Sequence, residues 1–413
     1  MADAPALVRL RVAFVTQRYG NEVNGGAESL CRVLAERMSR HWDVEVLTTC
    51  ANDYVTWENH YPEGMEAING VQVWRYPVAE PRDIVRFDRM SQSIRANTRA
   101  SLAEQEAWMR AQGPWSPRLV EAIAAGADRY DLYFFFGYLY AQAYFGLPAV
   151  AHKAILAPLA HDEWTIHLDM WKAFFARPAA FLFNTVEEKA FFRRRFAGTS
   201  FRGPVVGVVV DRPAGIDPLR FRSRFGIAGQ FLLYVGRVDP SKGCGEMFAN
   251  FLRHVELTGD SRLLVTIGRA VMPIPDHPQV RALGFVSEDD KWDALAACDF
   301  LVMPSLYESL SLVLLEAWSV SKPVLVNGEC EVLAGQARRA NGGLAYFSVD
   351  EFSAAIQALS RGGAASVMGR QGHDYVLATY SWPAVEAAYL GMAAQLNSVT
   401  GEHAMQARPQ RSD

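Results

Sequence analysis

Phe231-Leu232-Leu233-Tyr234-Val235-Gly236-Arg237-Val238-Asp239-Pro240-Ser241-Lys242-Gly243 decides the reading of the fold. Its first five residues are apolar without alternation, as in a strand buried on both faces of a parallel sheet. Glycine and proline then mark a polar turn, and helical spacing follows to about His254. Strand, turn and helix open a βαβ unit. The same pattern opens the chain: a strand at 11–17 (RVAFVTQ), the turn Asn24-Gly25-Gly26-Ala27-Glu28, and a helix at 28–40 with Leu30, Val33, Leu34 and Met38 on one face. Two starts of one pattern imply an α/β chain of two doubly wound domains.

Between these starts, strands are expected at 43–48, 71–75, 132–136, 154–160 and 180–184. A polar helical stretch at 81–123 is interrupted by Pro114 and Pro117. The strand at 154–160 ends on His161-Asp162-Glu163, and 187–196 reads as helix. Further strands follow at 262–267, 300–304 and 323–326, with a helix at 289–297 among the segments between them. The boundary falls near 203–210, giving domains at 1–205 and 206–383. An apolar helix at about 384–398 is expected to pack back on the first domain, and 400–413 reads as a flexible polar tail.

Composition narrows the function. The 413 residues carry 41 Lys plus Arg against 45 Asp plus Glu, a net charge of -4, which disfavours a nucleic-acid binder. Ten Trp, 15 Tyr and 23 Phe call for large buried cores. Cys31, Cys50, Cys244, Cys298 and Cys330 are scattered and odd in number, which argues against disulfides or zinc and for a reducing compartment. No basic region, apolar run and cleavage site stand in signal-peptide order at the start, so a cytoplasmic location is expected. Residues 132–151 lack formal charge over a membrane-spanning length, but two glycines, a proline and four tyrosines favour a buried strand and a short helix. Gly243-Cys244-Gly245-Glu246-Met247-Phe248 lacks the third glycine of a dinucleotide fingerprint, and no P-loop occurs. No Asp-x-Asp occurs, and His152, His161 and His167 lack zinc spacing, so neither a metal nor a cofactor is expected.

The chemistry concentrates at 304–317, Pro-Ser-Leu-Tyr-Glu-Ser-Leu-Ser-Leu-Val-Leu-Leu-Glu-Ala, where a strand gives way to a helix. Ser309 or Ser311 caps that helix, expected to start near Leu310, and its free N–H groups suit an anion. Glu308 before the helix and Glu316 within it bracket a ligand with a charged middle, such as a nucleoside diphosphate linked to a sugar. Arg237 and Lys242 follow a strand and supply the cations for a diphosphate.

With these motifs in order, the chain resembles the family-4 retaining glycosyltransferases, the glycosyl transferases group 1. The resemblance rests on Gly25-Gly26-Ala27-Glu28, His161-Asp162-Glu163, Gly236-Arg237, Lys242-Gly243, and Glu308 with Glu316 at the family's seven-residue separation. It implies the GT-B fold, two Rossmann-like domains facing across a cleft. It also implies that Glu316 holds the ribose hydroxyls, that Arg237 and Lys242 grip the diphosphate, and that Gly25 and Gly26 approach the donor. Glu308 and His161 become the catalytic residues beside the sugar. Ser309, Leu310, Ser311 and Leu312 complete the donor-binding set. One departure stands out: many members have Glu-Gly-Phe-Gly where this chain has Glu308-Ser309-Leu310-Ser311, trading backbone freedom for two hydroxyls.

The implied activity moves a sugar from a nucleoside-diphosphate donor to a hydroxyl of a glycan or lipid-linked glycan acceptor with retention, in polysaccharide or lipopolysaccharide assembly. The alternatives are a nucleotide-sugar epimerase or hydrolase on the same fold, or a non-catalytic sugar-binding subunit. Arg82, Arg86, Arg89, Arg95 and Arg99, and Arg193-Arg194-Arg195, read first as solvated faces because acidic neighbours balance them. The other reading is contact with anionic lipid, as for a peripheral protein at the inner membrane face, or with a phosphate-bearing acceptor.

Overall fold

The computed structural model describes residues 9–406 apart from Asn24, Thr98 and Gly362, with side chains to Asn397. Asn24 of the expected first turn and residues 407–413 of the expected tail lie outside the described residues. The chain divides into two compact units, one ending at Val206 and resuming at Glu386, the other Gly207–Val385.

The first unit contains β1 (Arg11–Val15), β2 (Asp43–Thr49), β3 (Gly64–Ile68), β4 (Val71–Tyr76), β5 (Leu132–Phe136), β6 (Ala154–Ala157) and β7 (Ala180–Phe181). They lie in the order β3-β4-β2-β1-β5-β6-β7, parallel except that β3 runs antiparallel to β4. Phe14 pairs with Val46 on one side and Phe134 on the other, so the centre of the sheet is apolar on both faces. Residues 132–136 are all buried and lead to a short helix, Ala141–Gly146. No helix among the described residues is long and apolar enough to cross a membrane.

The second unit contains β8 (Phe231–Val235), β9 (Leu263–Ile267), β10 (Val280–Ala282), β11 (Phe300–Met303), β12 (Val324–Asn327) and β13 (Gly343–Tyr346), in the parallel order β10-β9-β8-β11-β12-β13. Phe231, Leu233 and Val235 enter one core, Leu232 and Tyr234 the other. Each such side chain contributes about 1.5–3 kcal/mol on burial, which is why the run 231–235 has no polar position. From β8 the chain winds outward to β9 and β10, then crosses back to β11. The gap between the carboxyl ends of β8 and β11 is therefore a topological switch point, where open α/β sheets bind ligands.

Several boundaries depart from the sequence reading. The strand expected over 154–160 stops at Ala157, because Pro158 offers no N–H and Leu159 is left-handed with φ 54°. The strand expected over 180–184 reduces to Ala180–Phe181, with Phe183 making a single bridge to Val205. The last helix runs Trp382–Gln406, so 400–406 are helical rather than tail. Within the first unit, Glu386 pairs with Arg37 and approaches His41 at 3.6 Å, while the Tyr389 ring stacks 5.5 Å from Phe134.

Candidate functional site

The loop after β8 is shaped by its glycines. Gly243 has φ 73°, and a Cβ there would stand 2.2 Å from the Pro304 oxygen at the end of β11. Only glycine satisfies both the backbone conformation and that approach. The loop accordingly brings Lys242 Nζ to 2.8 Å from Glu308 Oε1 across the switch point. Arg237, in the same loop, pairs with Asp239 at 2.7 Å, and its carbonyl accepts the Tyr234 hydroxyl. Burial opposes ionisation of Asp239, but the Ser241 hydroxyl and amide together with Arg237 outweigh it and lower its pKa.

The helix after β11 begins at Leu312, two residues later than the sequence reading placed it. Ser311 is the cap, its hydroxyl accepting the Leu314 N–H at 3.3 Å, and Ser309 and Leu310 precede it outside the helix. The first helical N–H groups, of Leu312 and Val313, are the ones available to an anion at this end. Glu316 is the fifth helical residue and is 12% exposed. Its Oε1 accepts from Lys291 at 2.9 Å, whereas Oε2 is buried with no hydrogen-bond partner among the described residues. Burial lifts the Glu316 carboxyl above the usual carboxylate range against the pull of Lys291. Burial pulls Lys291 down in turn, and Glu316 and Glu288 more than compensate. Lys291 comes from the preceding helix, Glu288–Ala297, and the sequence reading missed it.

In the first unit, Gly25 precedes the helix Gly26–Met38, and a Cβ on it would lie 2.3 Å from Glu28 Oε2. Glu28 is held by Arg18 at 2.6 Å, with 5% and 7% of the two side chains exposed. Gly25 therefore makes room for a buried ion pair, whereas a Cβ on Gly26 meets nothing within 4 Å. His161 lies four residues past β6, half-buried, with Nδ1 3.6 Å from Glu163 Oε1. Its loop is clamped by Glu188, which accepts from the Ala160 and Asn184 N–H groups at 2.8 Å each. Burial raises the Glu188 pKa to about 8 against the pull of those N–H groups and that of Leu159. Arg18 and Glu188 were also missed. Neither carries a local motif that distinguishes it from a surface charge.

The structure thus joins Lys242 to Glu308, sets Arg237 in the same loop as Lys242, and carries Ser311 and Glu316 on the cap and body of the helix after β11, all in the second unit, while Gly25, Gly26 and His161 lie in the first. Among the described residues, no group of three or more His, Cys, Asp and Glu side chains is placed to hold a metal ion.

Residues 229–361 match the family described as Glycosyl transferases group 1. The second unit carries a group 1 glycosyltransferase domain. Lys242, Glu308 and Glu316 all fall inside the match, as does Lys291. A mannosylfructose-phosphate synthase from Agrobacterium fabrum is 26% identical over 141 residues, spanning 28% of this chain and 31% of that protein. The likeness in shape covers nearly all of the chain. Sucrose-phosphate synthase from Thermosynechococcus elongatus is 16% identical, with 95% of this chain and 100% of that one aligned at a TM-score of 0.70. The α,α-trehalose 6-phosphate synthase from Burkholderia multivorans is 14% identical over 96% and 100% of the two chains, at 0.69. HepE from Anabaena, solved with UDP and glucose, is 13% identical over 96% and 100%, at 0.62. The fold is GT-B, as the group 1 motifs of Arg237, Lys242, Glu308 and Glu316 implied.

Proposed function

We propose that the chain is a retaining glycosyltransferase that moves a sugar from a nucleoside-diphosphate sugar to a hydroxyl of a glycan or lipid-linked glycan. The observation that carries this reading is Glu316 Oε2, in the helix that Ser311 caps, a buried acceptor without a partner among the described residues. An unpaired buried carboxylate oxygen is costly, and a ribose hydroxyl donating to it supplies the missing bond. Arg237 and Lys242 are then the diphosphate ligands, with the Leu312 and Val313 N–H groups beside them.

The Lys242–Glu308 contact gives the two residues a linked role. A diphosphate draws Lys242 away from Glu308, which frees the Glu308 carboxylate to accept hydroxyls of the donor sugar. As the bond to the leaving diphosphate lengthens, Lys242, Arg237 and the helix N–H groups stabilise the charge that builds there. These positive groups do the work of a divalent cation, so transfer is expected to be metal-independent. His161 keeps the catalytic role that the family resemblance gives it. Work in bacterial polysaccharide or lipopolysaccharide assembly on the cytoplasmic side fits a glycan acceptor, and the UDP and UDP-glucose bound in the similar HepE structures favour a UDP-sugar donor.

The test is incubation of the full chain with a panel of nucleotide sugars, with and without glycan acceptors, followed by NMR of the product. Acceptor-dependent release of nucleotide, with the donor's anomeric configuration kept in the product, is expected. Equal consumption of donor without acceptor would turn the reading to a hydrolase or epimerase. Activity abolished by chelator and restored by magnesium would reject the metal-free part.

A further inference from the structure

The arginines of the 81–123 stretch are not equivalent. Arg82 and Arg86, around the start of the helix Ile84–Ala96, join Arg110 of the helix Leu102–Gln112 around a cavity of about 350 Å³ with Trp57 and Trp115 in its wall. The cavity belongs to the first unit, and its loops follow the carboxyl ends of β2 and β4, the ligand-binding edge of an open α/β sheet. Its volume lies at the low end for small-molecule sites.

Arg82 is the least ordinary of the three. Its guanidinium lies 4.8 Å from the ring centres of both Trp57 and Phe87, and it donates to the main-chain oxygens of Gln112 and Tyr54. Burial pulls its pKa below the usual guanidinium value. Arg110 covers Trp115 and Phe145, at 5.5 and 4.6 Å. Arg82, Arg86 and Arg110 form no ion pair with a carboxylate among the described residues. Glu80 and Asp83 also line the cavity, and Asp83 is engaged in accepting the Arg86 N–H at 2.9 Å. All three Arg82 guanidinium nitrogens already donate to oxygens of Gln112 or Tyr54, whereas Arg86 and Arg110, at exposed positions, keep N–H groups for a ligand, and a planar fork suits phosphate.

We propose that this cavity binds a phosphate carried on a small sugar ring, the phosphate held by Arg86 and Arg110 and the ring packed against Trp115, while the buried Trp57 and half-buried Arg82 form the floor. The phosphate can belong to a soluble sugar phosphate or to a lipid headgroup, which present the same chemistry to the arginines. The site goes beyond the proposed transfer, because it lies within the first unit and needs no donor.

The full chain is titrated calorimetrically with glucose 6-phosphate, and sedimented with phosphatidylcholine vesicles with and without phosphatidylglycerol. Arg86→Ala and Arg110→Ala, both at exposed positions, are compared with wild type, with UDP affinity as the control for folding and for the donor site. Saturable binding of glucose 6-phosphate is expected, weakened roughly 10- to 150-fold by each substitution, in line with charged hydrogen bonds. Binding to the anionic vesicles alone, lost in both variants, supports the same pocket with the lipid as its source. Binding of neither probe, or binding that both variants retain, overturns the proposal. UDP binding without glucose 6-phosphate or vesicle binding refutes the pocket alone, and the reverse result refutes the transfer reading alone.

Discussion

Lys291→Met removes the cation that holds Glu316. Lys291 Nζ stands 2.9 Å from Glu316 Oε1 and 2.8 Å from Glu288 Oε2, and the Lys291 side chain is 16% exposed. Breaking a buried pair by deleting one partner costs about 3–5 kcal/mol. Glu316 escapes part of this by taking up a proton, since burial has already raised its pKa, so about 3 kcal/mol is expected at neutral pH. At about 2–4 °C per kcal/mol for a domain of 150–250 residues, the transition of the second unit falls by about 6–12 °C. The sign with pH follows from the raised pKa: the neutral form is favoured on folding, so a lone Glu316 does least harm near its unfolded pKa of about 4.5 and most harm at neutral pH. Scanning calorimetry of the full chain at neutral pH and at about pH 5 reads both effects. Lys291→Met combined with Glu316→Gln should recover most of the loss, because the uncompensated charge is gone. A double variant as unstable as Lys291→Met, or a loss that grows on acidification, would refute the reasoning.

Lys242→Ala and Arg237→Ala should each weaken nucleoside-diphosphate binding by roughly 10- to 150-fold, the value of a hydrogen bond to a charged group, and unchanged calorimetric affinity in both would remove them from the site. Gly243→Ala should cost about 1–3 kcal/mol from its left-handed backbone alone, with more from the 2.2 Å approach to the Pro304 oxygen. A thermal transition matching wild type would contradict that. Glu188→Gln sets an amide NH2 against one of the buried backbone donors, at about 1–3 kcal/mol. It also removes a carboxyl whose folded pKa of about 8 lies above its ordinary 4.5. Wild type should therefore lose stability relative to the variant as pH rises from about 4.5 to 8, and identical urea-unfolding profiles across that range would count against it.

The fold was legible because parallel strands buried on both faces leave a strong signal: residues 12–15, 132–136 and 231–235 are continuous apolar runs. Three strands with little burial were not read. β3 is almost wholly exposed, β10 has one half-buried and two exposed residues, and only Tyr346 of β13 is buried. The site divides along the same line. Lys242, Glu308 and Glu316 stand beside turns and a helix start, where local chemistry distinguishes them from other charges. Lys291 is 25 residues from Glu316 and Glu188 is 28 from Ala160, and neither has a local feature to announce its partner. The late helix start has a similar cause: Ser309 and Ser311 are equivalent caps in sequence, and Ser311 was singled out only by the backbone that placed its hydroxyl on the Leu314 N–H.

Calorimetric titration of the full chain with UDP, GDP and ADP, and with their sugar conjugates, tests most directly the claim that the second unit holds a nucleotide-sugar donor through Glu316. At least one nucleoside diphosphate and its sugar conjugate should bind, and Glu316→Ala should weaken both by roughly 10- to 150-fold, because the ribose hydroxyls persist after the sugar leaves. Failure of every nucleotide and conjugate to bind, or unchanged nucleotide affinity in Glu316→Ala, would contradict it.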